Sequence, residues 1–297
     1  MSGRRALEER RARLGEVGEI LRAMKNLAYL QVRRLARLVE GQREALTAID
    51  EAAADLLAWH PYSLPRPDDG LRAVVVVGTE RGFVGDLNQR LLRRLEGSLG
   101  RDGGEVVVIA VGRRLLARLA GHPRLVGAVE GASVAEEVPG VVRRVVAELD
   151  RLPAGARALT LTVLASDASG EAVSEQCLLP PFEAHIGRPC AEAFPPFLYL
   201  TPERLLSELA EHYLLAALHA IVSEALLGES HRRVRHLEGA VRHVDDRLEA
   251  IDRQVRVLRQ EEVIEEIEVI LLGASGSGSG PGPQHVAPPR GDAARGE

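Results

Sequence analysis

The chain has 297 residues, enough for one or two compact units with extensions. Its 38 basic and 43 acidic residues leave a net charge of −5, so no global field recruits nucleic acid or an anionic membrane. Aromatic residues make up 3% and charged residues 27%, as expected of a mixed-class protein whose long helices fill their solvated faces with Arg and Glu.

The first predicted element is a helix from about Arg4 to Leu57. Leu7, Leu14, Leu21, Ala28, Leu35, Gln42, Ile49 and Leu56 recur every seven residues, and Val17, Met24, Leu38 and Ala45 fall at the d offset of that heptad. Gly15, Gly18 and Gly41 weaken the helix by roughly 1 kcal/mol each without stopping it. At 1.5 Å per residue it would be about 80 Å long. It ends at His60-Pro61 and the turn cluster 65–70, which sets apart a coiled-coil helix over 1–60.

From 71 to 200 the period changes. Ala73–Val77 and Val106–Val111 are continuous β-branched runs of the kind found in strands buried on both faces. Each leads into a helical stretch, Asp86–Leu99 and Arg113–Ala120. A further helix over Val134–Leu152 precedes a strand over Ala158–Leu164, so alternation of strand and helix predicts a small parallel sheet of Rossmann-like topology. Ala172–Leu179 and Ala184–Ile186 are expected to add an edge hairpin.

The last segment, 201–272, opens with Thr201 as N-cap and Pro202 at the first helical position. Val234, Leu237, Val241, Val244, Leu248, Ile251, Val255 and Leu258 alternate three and four residues apart, the seam of a left-handed coiled coil. This helix needs a partner, and the N-terminal helix is the candidate. The tail 275–297, with its Ser-Gly repeats followed by Pro, Gly and Arg, reads as a disordered extension. Tandem repeats are absent, and no stretch approaches the roughly 20 apolar residues of a membrane span. Cys177 and Cys190 lack metal-ligand spacing and follow an Arg-rich N-terminus without an apolar signal core, which points to a reducing cytoplasm.

Two features invite a catalytic reading, and neither supports it. Gly78–Gly85 follows a buried strand and precedes a helix, the setting of a phosphate-cradling glycine turn. Its spacing matches neither the dinucleotide fingerprint nor the P-loop, and Asp86 would put negative charge where phosphate belongs. His212, His219, His231, His236 and His243 lie along the C-terminal helix but scatter around its face and form no metal-binding pair, so a solvated or packing role is expected. Asp167 and Ser169 sit at a strand C-terminus with no His or Lys beside them. No cofactor, metal or catalytic residue is expected. A rod built from the two chain ends, with about 140 residues held between them, transmits position or force better than it performs chemistry.

Three blocks resemble the gamma subunits of F-type rotary ATP synthases. Ala23-Met24-Lys25, Ala28 and Arg33-Arg34 look like that family's Lys-Ala-Met-Lys-Met-Val-Ala-Ala-Ser-Lys-Leu-Arg-Arg. Thr79–Asn88 resembles its Ser-Asp-Arg-Gly-Leu-Cys-Gly-Gly-Phe-Asn turn. Arg259-Gln260, Glu266-Ile267, Ile270 and Gly273-Ala274 fall in step with its C-terminal block, and Glu229, Arg233 and Ala240 keep that register without a gap.

The resemblance implies an antiparallel coiled coil of the terminal helices, forming a central shaft, with an inserted Rossmann-like α/β domain at its base. It also implies that the shaft's rotation couples ion flow to ATP synthesis or hydrolysis at beta-subunit sites. The implied partners are the alpha and beta subunits of the catalytic hexamer, the epsilon subunit and the c-subunit ring. The implied location is peripheral, on the cytoplasmic face of a bacterial cell membrane. Met24, Lys25, Arg259 and Gln260 become candidate shaft contacts with beta, and Arg81, Gly82, Gly85 and Asn88 candidates for holding the turn. Val263–Leu272 fits either a tip running in a low-friction sleeve or a continuation of the seam.

The sequence departs from the family at Val84, at Asp86, in the Ser-Gly tail and at 239–244, where Gly-Ala-Val-Arg-His-Val replaces Asn-Ala-Thr-Asp-Asn-Ala. These departures suggest a divergent branch such as the alternate N-type ATPases. The competing readings are a coiled-coil scaffold or nucleic-acid adaptor and a nucleotide-dependent enzyme with a coiled-coil arm. Near balance of basic and acidic residues in the first helix weighs against a phosphate-binding strip.

Overall fold

A computed structural model describes residues 2–60, 70–100, 105–152, 159–186, 194–195 and 197–276. Cys190 and the tail beyond 276 lie outside the described residues. The elements run α1 (Ser2–Trp59), β1 (Leu71–Val77), α2 (Leu87–Leu99), β2 (Val106–Val111), α3 (Arg113–Leu119), β3 (Leu125–Val129), α4 (Val138–Asp150), β4 (Leu159–Ser166), β5 (Val173–Leu179) and α5 (Pro202–Gly276). They fold into two compact units, one whose described residues are 2–17 and 244–276 and one within residues 18–243.

The larger unit is built on a five-stranded sheet of order β3-β2-β1-β4-β5, parallel except for β5. The unbroken valine run of β1 has the cause its sequence suggests, since both of its faces are covered. Val74 and Val76 join Val108, Leu87, Leu91, Leu95, Leu115 and Leu119 under α2 and α3. On the other face, Ala73, Val75 and Val77 pack with Leu161 and Val163 of β4 and with Val141 and Val145 of α4. Leu35 and Val39 of α1 and Leu218, Ile221 and Val222 of α5 complete this second cluster.

Three expectations need correction. The alternation of strand and helix omits β3, which has five residues, of which only Gly127 and Val129 are buried, too little apolar signal for an edge strand. The three expected strands are parallel and β3 joins them in parallel, while β5 lies antiparallel to β4, with Leu164 opposite Glu175. Ala184–Ile186 forms no strand; Glu183–His185 is a turn of 3₁₀ helix, so the hairpin partner of β5 is β4. The expected lack of a span-like stretch also fails by composition. Helix α5 contains an 18-residue window of mean hydropathy 1.3, and Ala217, Leu218, Ile221 and Val222 of α5 are buried in the core beside the sheet.

In the same unit α1 runs antiparallel to α5. Arg43 pairs with Glu224 at 2.7 Å, and Ile49, Ala53 and Leu57 pack with Leu206, Leu209, Ala210 and Tyr213. The heptad positions Ala28, Leu35 and Leu56 are buried as expected. Their companions are not at the d offset. Val17, Leu38 and Ala45 are exposed and Met24 is half-buried, whereas Val39 and Ala53, four residues after a heptad position, are buried, so the seam follows the +4 positions.

The smaller unit is an antiparallel pair of helix ends. Arg4 meets Glu262 at 2.9 Å and Arg11 meets Asp252. Val244 and Ile251 are buried, and Leu7, Leu14, Leu248, Val255 and Leu258 are half-buried. From Val263 to Leu272 the apolar side chains are exposed, Val269 and Ile270 each at 69%. A continued seam is therefore not what this stretch forms.

Candidate functional site

The turn from Thr79 to Asp86 leaves the carboxyl end of β1 and is shaped from within. The Asn88 carboxamide oxygen accepts from the Thr79 N–H at 3.1 Å, and its NH₂ donates to the Thr79 hydroxyl at 2.8 Å. Phe83 and Gly85 both have positive φ, 62° and 64°. A Cβ on Gly85 would stand 2.4 Å from the His236 Nε2 atom. Glycine suits that position, while Phe83 adopts a backbone that costs a side-chain-bearing residue about 1 kcal/mol.

Helix α5 holds this turn from outside. The N–H groups of Glu80 and Arg81 each donate to the Glu229 carboxylate at 3.1 Å, and Arg233 binds the same carboxylate. Arg233 also donates to the Gly82 carbonyl at 3.3 Å. Burial pushes the Glu229 carboxyl up, against the pull of Arg233 and the two N–H groups, and pushes Arg233 down. Its neighbour Arg232 donates to the Val84 carbonyl at 3.1 Å and to Asp86 at 2.7 Å, and also to the Gly170 carbonyl at 2.7 Å. The Arg232 hydrogen bond holds the Asp86 carboxyl below its ordinary range.

Asp167 and Ser169 form the turn between β4 and β5. Asp167 accepts from Ser169 at 2.6 Å and from the Ala172 N–H at 3.0 Å. Burial alone would raise the Asp167 pKa, yet the Ser169 hydroxyl and the N–H groups of Ala172, Glu171 and Gly170 bring it down. A Cβ on Gly228 would stand 2.3 Å from the Asp167 carbonyl, so this glycine sets how closely α5 approaches. Three of the histidines of α5 bond to backbone: His231 to the Ala168 carbonyl, and His212 and His219 back to the carbonyls of Glu208 and Leu215.

Glu80, the next carboxylate, is also consumed internally. It accepts from the N–H groups of Arg113 and Gly131, both at 2.9 Å, and from the Arg113 guanidinium.

On the outer side of the turn lies an open cleft of about 200 Å³ lined by Met24, Leu27, Ala28, Gln31, Arg81, Gly82, Phe83, Arg114 and Arg233. The structure thus brings Met24 together with Arg81 and Gly82, which the sequence reading places in different roles. Gly85 and Asn88 belong to the same turn without lining the cleft, and Lys25 is half-buried beside Met24 in sequence without lining it either. Arg259 and Gln260 are exposed on α5 in the smaller unit. Sequence reasoning misses Leu27, Phe83, Arg114 and the clamp itself. The signal available is Glu229 and Arg233 four residues apart, following an apolar run of α5. Leu27 is 54% exposed and Phe83 52%. Together with Ile20 and Leu30, also exposed, Leu27 gives α1 a second apolar face beside its seam.

A model of the family described as ATP synthase matches residues 4–276. The chain is similar to the ATP synthase gamma chain of Mycolicibacterium smegmatis, 28% identical over 303 residues that cover 91% of this chain and 97% of that one. It is similar also to the ATP synthase gamma chain of Parafrankia sp., 25% identical over 279 residues, 88% of this chain and 93% of that one. Its fold matches a chain of the Euglena gracilis mitochondrial ATP synthase with a TM-score of 0.65 at 15% identity, covering 96% of this chain and 99% of that chain. A chain of the Tetrahymena thermophila mitochondrial ATP synthase central stalk and c-ring matches with a TM-score of 0.52 at 17% identity, over 74% of this chain and 99% of that one.

Proposed function

The chain belongs to the ATP synthase family as a gamma subunit, and from that premise we propose that it is a non-catalytic shaft whose outer α1 face and β1 turn are read by the catalytic subunits. The observation that carries this reading is the second apolar face of α1. Ile20, Leu27 and Leu30 are 60%, 54% and 62% exposed although the seam already buries another side of the helix. Arg81 and Arg114 line the Phe83 cleft together with Leu27, which suits a partner that is apolar and acidic.

Rotation of a shaft with such a one-sided surface offers each beta site a different face in turn. Each orientation then favours a different conformation of that site, so torque and nucleotide affinity are coupled as differential binding between states. The partners proposed are the alpha and beta subunits around the shaft, with the epsilon subunit and the membrane c-ring at the foot. The exposed side chains of Phe194, Phe197 and Tyr199, the last two packed edge to face at 5.2 Å, support a protein contact just before α5 begins. The assembly would sit peripherally on the cytoplasmic face of a bacterial membrane. Consumption of Glu80 and Glu229 by internal bonds supports a chain that performs no chemistry itself.

The test is co-expression with alpha and beta subunits from the same source. One copy of this chain per alpha-beta hexamer, with multi-site ATPase lost when it is left out, is the expected result. A chain that stays alone or forms symmetric homo-oligomers would overturn the reading.

A further inference from the structure

In an open α/β sheet the ligand crevice lies at the carboxyl ends of the strands where the winding reverses. In the order β3-β2-β1-β4-β5 that point falls between β1 and β4. The groups that would receive an anion there are present. Two successive backbone N–H groups, of Glu80 and Arg81, converge on one carboxylate, and a buried guanidinium, Arg233, closes the set. Successive N–H groups with a guanidinium are the donors that hold phosphate or carboxylate in protein sites. Here they hold Glu229, which is 3% exposed and comes from a helix 149 residues away in sequence. Beside it, between Gly78, Val111, Ala225 and Leu226, only about 10 Å³ remains empty.

We propose that this crevice is a small-oxyanion site and that Glu229 is its permanent internal ligand, carried in by α5 in place of a free phosphate or carboxylate. Gly228 makes the delivery feasible, because its missing side chain lets α5 reach the Asp167 carbonyl. The same occupation accounts for a phosphate-like glycine turn that lacks any phosphate-binding spacing. Nothing in this arrangement depends on the rotor role.

Truncation of Glu229 to Ala removes a CH₂–COO⁻ fragment, which is acetate less one hydrogen. The experiment is thermal unfolding of the full-length E229A chain in acetate, with chloride at matched ionic strength as control and the wild type alongside. The expected result is a saturable rise in the E229A midpoint with acetate that chloride does not reproduce and the wild type does not show. An equal response of both proteins to the two salts would overturn the proposal. Should E229A fail to fold, hydrogen exchange of the wild type decides the matter. The Glu80 and Arg81 amides should exchange as slowly as those of Val75 in β1; exchange at the rate of open turn amides would refute internal ligation.

Discussion

At Gly228 and Gly85 the clamp between the β1 turn and α5 leaves no room for a side chain, but for different reasons. A methyl at Gly228 would meet a backbone carbonyl at 2.3 Å, which cannot move without the β4–β5 turn. Gly228→Ala is expected to cost about 1–3 kcal/mol by overpacking. A methyl at Gly85 would meet the tip of His236, which can rotate away, leaving mainly the cost of positive φ. Gly85→Ala should therefore cost about 1 kcal/mol. Urea titration checks the ranking, and equal losses would contradict it. The charged pair behaves differently again. Arg233→Met leaves a buried carboxylate without its cation and should cost about 3–5 kcal/mol. Replacing Glu229 as well should not restore stability, because the Glu80 and Arg81 N–H groups then lose their acceptor.

Asp86 and Asp167 make the two turns sensitive to acid. Both carboxyls are held below the ordinary aspartate value of 3.8. A group with a depressed folded pKa contributes stability above its unfolded pKa and loses it as pH falls through the folded value. The loss from this pair should thus begin near the unfolded aspartate value of about 4 and deepen below it. Stability curves of the wild type and the Asp86→Asn, Asp167→Asn double variant should converge as pH drops below that point. Parallel curves would show that the carboxylates do not contribute as argued.

At the scale of the elements, the register of α1 offers the sharpest test. Leu35 is 2% exposed and Val39 is 2% exposed, while Leu38 between them is 38% exposed. Leu35→Ala should cost about 2–5 kcal/mol and Leu38→Ala well under that. Guanidinium unfolding distinguishes this from a seam through position 38, which would make Leu38→Ala as costly as Leu35→Ala. Asp86 shows how a departure from the family is absorbed locally, since its carboxylate takes up Arg232 rather than facing a ligand. Val241, in the stretch that departs at 239–244, is only 8% exposed, so apolarity there serves burial.

For the whole molecule, stability and function should separate by face. Leu27→Asp and Leu30→Asp alter exposed positions and should leave the unfolding midpoint of the chain nearly unchanged. They should weaken assembly with alpha and beta subunits, measured by co-purification, and lower the ATPase rate of the complex. Unchanged assembly would remove the outer α1 face from the proposed interface.

Periodicity alone determined the two long helices, the seam positions of α5 and the buried strands β1, β2 and β4, because each leaves a repeated or concentrated apolar signal, while the glycines of 78–85 marked the turn after β1. It pointed to the d offset of α1, whereas the +4 positions are buried, since both offsets carry apolar residues and only packing against α5 and the sheet selects which face is buried. It also left β3 unseen, because an edge strand of five residues needs little apolarity. The clamp was legible only as Glu229 and Arg233 following an apolar run. That the carboxylate would close over the N–H groups of Glu80 and Arg81 was decided by tertiary structure, which alone brings together residues 149 apart in sequence.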